Sequence, residues 1–188
     1  MNLAGQESLP VSQAQAWEAL NDADLLKASI SGCESLSLIG EQEYEALMTV
    51  AIGPVKAKFK GKLKLSDLQP PNSYSLAFEG NGGAAGHGKG TAQVRLESQG
   101  PTLTLLHYEV QASVGGKIAQ IGSRLVDMAA QKMAGDFFAA FNTALQARYV
   151  VAAAAAAVAP DEAPQKSRWQ RLLDWYLGWL GRVFTGKI

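Results

Sequence analysis

Cysteine is nearly missing from this chain. Cys33 is the one thiol among 188 residues, so neither an intrachain disulfide nor a cysteine-rich metal site can form. Histidine is almost as scarce: His87 and His107 are the only two, and neither has a carboxylate or cysteine at metal-ligand spacing, so no metal site is expected. No run approaches the roughly 20 uncharged apolar residues of a membrane-spanning helix. The first residues, MNLAGQESLP, lack a basic start followed by an apolar stretch, so no signal peptide and a cytoplasmic location are expected. Net charge is absent as well, with 17 basic against 17 acidic residues. That balance hides an asymmetry. From Lys166 onward five basic residues stand against one acid, Asp174, which leaves +4 on this end and −4 on the rest. With 47% hydrophobic and 18% charged residues, the composition is that of a globular protein, long enough for one domain and an appendage.

What the chain does have is alternation. Lys56, Lys58, Lys60, Lys62 and Lys64 alternate with Val55, Ala57, Phe59, Gly61, Leu63 and Leu65. A period of two over that length is a half-buried antiparallel strand, with the lysines in water and the other set facing a core. Ala46, Met48, Val50 and Ile52 form the inward set of the preceding strand, and Gly53-Pro54 is the turn. Tyr74, Leu76 and Phe78, then Ala92, Val94 and Leu96, then Leu106, Tyr108, Val110 and Ala112 mark three more strands. Turn residues separate them at Gln69-Pro70-Pro71-Asn72 and Ser98-Gln99-Gly100-Pro101. Upstream, Leu3 to Leu9 reads as a first strand. Ser12 is placed to cap a helix through Trp17 and Leu20, and Asp22 or Asp24 a second through Leu25, Leu26 and Ile30, stopped by Gly32.

After Gly115-Gly116 the period changes. Ile118, Ile121, Leu125, Met128 or Ala129, Met133, Phe137, Phe141 and Leu145 recur at three- and four-residue steps, predicting one helix of roughly 30 residues. The order predicts an α+β domain over residues 1–149: a curved antiparallel sheet covered by a long C-terminal helix, with room for a cavity between. Trp17, Met48, Phe59, Leu63, Phe78, Leu106, Tyr108, Met128, Met133, Phe137 and Phe141 are the candidate ligand-binding wall of that cavity. Taken one by one, each of them also fits ordinary core.

Residues 150–165 are rich in alanine and valine and then in proline. They read either as a continuation of the helix to Pro160 or as a flexible linker. The last segment, 166–188, is amphipathic. On a helical wheel of about 100° per residue, Trp169, Leu172, Leu173, Tyr176, Trp179, Leu180, Val183 and Phe184 fall within roughly 140°, opposite Arg171, Asp174 and Arg182. Rings and leucines opposite cations suit a helix lying in the interface of a membrane with anionic lipid. Packing on its own domain or on a partner protein is the competing reading.

Other signals are weaker. Gly83 to Lys89 has the GxxxxGK spacing of a phosphate loop, but Gly90 follows where Ser or Thr is required to hold magnesium. A hairpin with positive-φ glycines is expected there, and a flap over the cavity mouth is its functional counterpart. The lysine row is either the solvated face of a strand or a surface for an acidic partner. It carries no aromatics for base stacking, so nucleic acid is not an expected partner. No Ser/His/Asp or Cys/His constellation is visible.

Trp17-Glu18-Ala19-Leu20-Asn21-Asp22, Gly32-Cys33-Glu34, Gly82-Gly83-Ala84-Ala85-Gly86 with Gly88-Lys89-Gly90, and the stretch from Val114-Gly115-Gly116 to Leu125 resemble one family. It is the carbon monoxide dehydrogenase CoxG family, within the START/Bet v 1-like helix-grip domains. The resemblance covers roughly residues 1 to 147 and departs at Ser31, where the family pattern has proline before Gly-Cys. It implies a helix-grip fold and a non-catalytic accessory protein for a molybdenum hydroxylase such as carbon monoxide dehydrogenase. The implied role is to recruit that enzyme to the inner face of the cytoplasmic membrane. The implied ligand is an apolar small molecule, a non-covalent quinone (menaquinone or ubiquinone), with no covalently bound cofactor. An assembly chaperone for the enzyme, or a cyclase- or dehydratase-type enzyme acting on a hydrophobic substrate, are the alternatives.

Overall fold

The structure, a computed structural model, describes residues 1–150. The linker expected over 150–165 beyond its first residue, and the expected membrane-docking helix 166–188 with Trp169, Leu172, Leu173, Tyr176, Trp179, Leu180, Val183 and Phe184, lie outside the described residues.

Strand β1 (Asn2–Leu9) leads into two short helices, α1 (Gln13–Leu20) and α2 (Ala23–Ser29). The Ser12 side chain accepts from the Gln15 N–H while Gln15 Oε1 accepts from the Ser12 N–H at 3.1 Å, a reciprocal cap that satisfies two donors at the start of α1. Of the two candidate caps for α2, Asp22 is the one used, accepting from the N–H groups of Asp24 and Leu25 at 3.0 and 3.1 Å. Gly32 ends this corner at φ 77, with room for no side chain: a Cβ there would lie 2.3 Å from the carbonyl oxygen of Thr49.

Six further strands follow: β2 (Cys33–Gly40), β3 (Glu43–Ile52), β4 (Val55–Gln69), β5 (Ser73–Asn81), β6 (His87–Gly100) and β7 (Leu103–Gly115). They form one antiparallel sheet in the order β1-β7-β6-β5-β4-β3-β2. The predicted phases hold across it. Met48, Ala46 and Tyr44 face Phe59, Gly61 and Leu63, and Leu106, Tyr108 and Val110 face Leu96, Val94 and Ala92. The lysines of β4 occupy the other face, where Lys58, Lys60 and Lys64 pair with Glu34, Glu45 and Glu43 at 2.8, 3.0 and 2.8 Å. β4 runs past the predicted Leu65, its register shifting between Ser66 and Gln69 around Asp67 at φ 51. β2 has no clear alternation in the sequence, and two register shifts interrupt its pairing with β3, so the chain pattern does not announce it.

The single helix of roughly 30 residues is not what forms. A short helix α3 (Lys117–Gln120) stops, Gly122 adopts φ 96, and α4 (Ser123–Leu145) begins afresh before a single π-type turn at Gln146–Val150. The buried stripe of α4 departs from the expected one in its first turns and coincides with it at Phe141 and Leu145. Val126, Phe138, Phe141 and Leu145 are buried, whereas Leu125 and Met128, expected inside, are 46% and 57% exposed. At its far end Arg148 Nη2 lies 3.2 Å from Glu18 Oε1, and Nη1 bonds Asp22 Oδ2, tying the end of α4 to the corner between α1 and α2. That hydrogen bond from Arg148 is the largest cause holding the Asp22 carboxyl below its ordinary value of 3.8.

Candidate ligand-binding site

Between the concave face of the sheet and α4 lies a cavity of about 580 Å³. Its position follows from how the core divides. One buried cluster gathers Leu9, Val11, Leu20, Leu25, Tyr74, Val94, Leu96, Leu106, Phe138 and Phe141 around the two short helices. The other, at the opposite end of the sheet, holds Phe59, Ala85, Ile118 and Val126, with Met48, Val50 and Ile52 against it. α4 spans both without closing the space between them.

Eight of the eleven candidate residues stand on the cavity wall: Met48, Phe59, Leu63, Phe78, Leu106, Tyr108, Met133 and Phe137. Three do not. Trp17 packs edge-on against Tyr74 at 5.7 Å, outside the wall. Phe141 is fully buried, stacked on Phe137 at 5.4 Å, and belongs to the packed core. Met128 is 57% exposed, off the stripe of Val126, Ala130, Met133 and Phe137 that α4 turns to the cavity. Residues that the sequence reading left out of the site also line it, notably Tyr44, Tyr74, Cys33, Ile118, Val126 and Phe138. The inward phase that marked Tyr74 and Ile118 as core was a visible signal. Nothing in the local pattern marks Cys33, which sits beside a bulge.

The glycine segment forms one end of this cavity. It is a tight hairpin with a single 3₁₀ turn at Gly83–Ala85 and positive φ at Gly83 and Gly86, as the composition predicts. It is packed in place. A Cβ on Gly82 would lie 2.5 Å from the Phe59 ring, and one on Gly86 would lie 2.0 Å from the carbonyl oxygen of Gly115. Glycine is therefore required where this turn meets the junction of β7 and α3.

The polar groups that reach the wall from the inward phase are few. They are the phenols of Tyr44, Tyr74 and Tyr108 and the thiol of Cys33. Burial pushes the Tyr74 hydroxyl well above the ordinary phenol range, with a smaller contribution from Tyr44. Burial also raises Tyr108, assisted by the nearby Glu7 carboxylate, and raises Cys33 against a weaker opposing influence of Lys27. Raised in this way, Tyr74, Tyr108 and Cys33 are neutral at physiological pH. Lys62, Glu79, His87 and Lys89 border the cavity too, but from strand positions of the outward phase. Glu7 is half-buried on the inward phase of β1 and is not part of the wall. The outer face of the sheet carries a more open groove of about 800 Å³, lined by Glu43, Lys62, Lys64, Glu79 and Lys89, and its mixed charges do not suit an apolar ligand. Among the described residues no group of His, Cys, Asp or Glu could hold a metal ion, and no helix is long and apolar enough to cross a membrane.

The fold recurs in solved structures. A conserved protein from Geobacillus kaustophilus is 33% identical, with a TM-score of 0.73, over 77% of this chain and 95% of that chain. A START superfamily protein from Mycobacterium smegmatis matches in fold at 10% identity and a TM-score of 0.60, over 77% and 97% of the two chains. An aromatase/cyclase from a Streptomyces species does so at 12% identity and 0.54, over 80% and 97%. A search of curated proteins found no match. The model of one family, CoxG of carbon monoxide dehydrogenase, matches residues 5–146, nearly the whole of the described domain. With its START/Bet v 1-like helix-grip architecture and an apolar cavity beneath α4, this chain belongs to the CoxG family.

Proposed function

We propose that this protein is a non-catalytic carrier that takes an apolar ligand, a quinone of the menaquinone or ubiquinone kind, into the cavity. In the same reading it recruits a molybdenum-containing carbon monoxide dehydrogenase or a related hydroxylase to the membrane. The observation that carries the ligand half is the cavity wall: its inward-phase side chains are apolar, relieved by phenols and one thiol. Such a wall shields an isoprenoid chain from water. Covering about 200 Å² of apolar ligand surface is worth about 5 kcal/mol at 25 cal/mol per Å². The volume of about 580 Å³ lies within the usual range for small-molecule sites and suits a quinone ring with the first part of its chain. When bound, a quinone supplies a two-electron, two-proton acceptor. The chain's own residues bind it, orient it and exclude water. An enzyme of the cyclase or dehydratase type would need acid–base side chains on the wall, whereas the inward-phase polar groups there are phenols and a thiol.

The docking half rests on the sequence of residues 166–188, whose +4 charge and arc of Trp and Leu suit an anionic surface. One preparation tests both halves. Mass spectrometry of lipids extracted from the full chain, purified from its native host, should show a co-purifying quinone. The same chain should pellet with vesicles containing anionic lipid, while a chain ending at Pro160 stays in solution. An empty cavity with the molybdenum enzyme still attached would favour an assembly chaperone, and equal partitioning of the two chains would remove the docking role.

A further inference from the structure

Three aromatic side chains of the cavity wall, Phe59, Phe78 and Tyr108, end with their tips over a glycine. A Cβ on Gly82 would lie 2.5 Å from Cζ of Phe59, one on Gly90 would lie 2.7 Å from Cζ of Phe78, and one on Gly5 would lie 2.6 Å from Cζ of Tyr108. At Gly90 the Cβ would also meet the backbone carbonyl of Gln111, so that glycine serves the β6–β7 pair as well. Gly5 and Gly82 differ. The three atoms nearest to a Cβ there all belong to the ring side chain, Tyr108 in one case and Phe59 in the other. Neither glycine stands at positive φ. Backbone conformation does not call for glycine at these two positions; the ring does.

The three rings lean the same way. Phe59 of β4 lies over the residue that follows β5, Phe78 of β5 over β6, and Tyr108 of β7 over β1, so each leans toward the β1 edge of the sheet. A ring laid along the sheet leaves free the space above it, which a ring standing up from the wall would fill. Below that space, next to Phe59, the floor is bare: Gly61, Gly80 and Gly88 adjoin one another on β4, β5 and β6 and all border the cavity. Tyr108 is also held from the helix side, where the Phe138 ring of α4 lies 5.2 Å away at an angle of 31°. A methyl group added at Gly5 lifts the tip of Tyr108 off β1. With Phe138 on the helix side, the ring has the cavity to move into.

We propose that Gly5 and Gly82 set the ligand specificity of the cavity: by letting Tyr108 and Phe59 lie down against the sheet, they keep it wide enough for a ligand that carries a flat ring system rather than a chain alone. This rests on the reading of the cavity as a ligand site and narrows its ligand class. The two glycines are positioning residues, which act through the rings they seat and do not themselves hold the ligand.

The test uses Gly5→Ala and Gly82→Ala, each in the full chain, titrated by calorimetry with two probes. One is 2-hexyl-1,4-naphthoquinone, which has a flat two-ring head; the other is 1-dodecanol, a chain alone. Each variant should bind the naphthoquinone about tenfold more weakly or worse, the scale of overpacking a filled site, and dodecanol within about threefold of wild type. Shortening the displaced side chain should undo the loss. Gly5→Ala with Tyr108→Leu, and Gly82→Ala with Phe59→Leu, should bind the naphthoquinone within about threefold of wild type. If a single variant does not fold, its double variant carries the test, because the crowding is gone; a double variant that fails to fold or to bind the naphthoquinone overturns the assignment. Unchanged naphthoquinone binding in the single variants overturns it too, and so do equal losses for the two probes, since the glycines then serve the fold. A wild type that takes dodecanol but not the naphthoquinone refutes the ring-width role and leaves the ligand-site reading standing. Failure of both probes to bind the wild type overturns the ligand-site reading itself and the role of the two glycines with it.

Discussion

Gly83 and Gly86 occupy one turn, both at positive φ, yet alanine at the two positions should have unequal consequences. At Gly83, φ is 60 and no heavy atom lies within 4 Å of the site a Cβ would take. Alanine there meets only the left-handed backbone penalty, about 1 kcal/mol. At Gly86 the backbone stands at φ 121 and ψ −161, a region that only glycine enters readily, which costs a side chain about 1–3 kcal/mol. The new Cβ would also lie 2.0 Å from the Gly115 carbonyl oxygen and 3.2 Å from Gly116 Cα. Backbone cannot rotate away as a side chain can, so the hairpin must separate from the junction of β7 and α3, adding about 1–3 kcal/mol of overpacking. Gly86→Ala should therefore lose about 4 kcal/mol against about 1 for Gly83→Ala. Equilibrium urea unfolding of the full chain, followed by far-ultraviolet circular dichroism, reads both as midpoint shifts at constant slope. Losses equal to within about 0.5 kcal/mol would refute the reasoning, because they would mean that the crossing of Gly86 over Gly115–Gly116 is not a close one.

Two other substitutions test which residues α4 turns inward. Met128→Gln, at a position 57% exposed, should change stability by less than about 0.5 kcal/mol, whereas Phe141→Ala, at 0% exposure, should lose about 3–5 kcal/mol in the same urea assay. Comparable losses at the two positions would mean that Met128 is inside as well. Arg148→Ala tests the clamp on Asp22. The Asp22 carboxyl is held below 3.8 chiefly by Arg148, so it contributes stability above that pH and loses it as pH falls through its lowered value. The variant should be less stable than wild type near neutral pH, the gap should close toward about pH 2, and the Asp22 carboxyl resonance should titrate higher than in wild type. A gap that is constant with pH would show that Arg148 acts without the carboxylate.

The candidate site was legible in part, and the three misses have separate causes. At Met128 the three- and four-residue rhythm fits its neighbour Ala129 as well, and α4 turns Val126, Ala130 and Met133 to the cavity while Met128 is 57% exposed. Trp17 and Phe141 were correctly read as apolar and inward, but whether an inward residue meets a neighbour or a void depends on elements distant in the chain.

The sequence by itself determined the strand phases of β3 to β7, the cap at Ser12, the glycine hairpin and the family. Each depends on backbone geometry repeated over a few residues, or on short-range hydrogen bonds. Only the tertiary structure decided that the inward faces do not fully meet, leaving about 580 Å³ between two packed clusters. A cavity is a property of the distances between elements, set by where α4 settles across the sheet after the break at Gly122, and local periodicity carries no record of that distance.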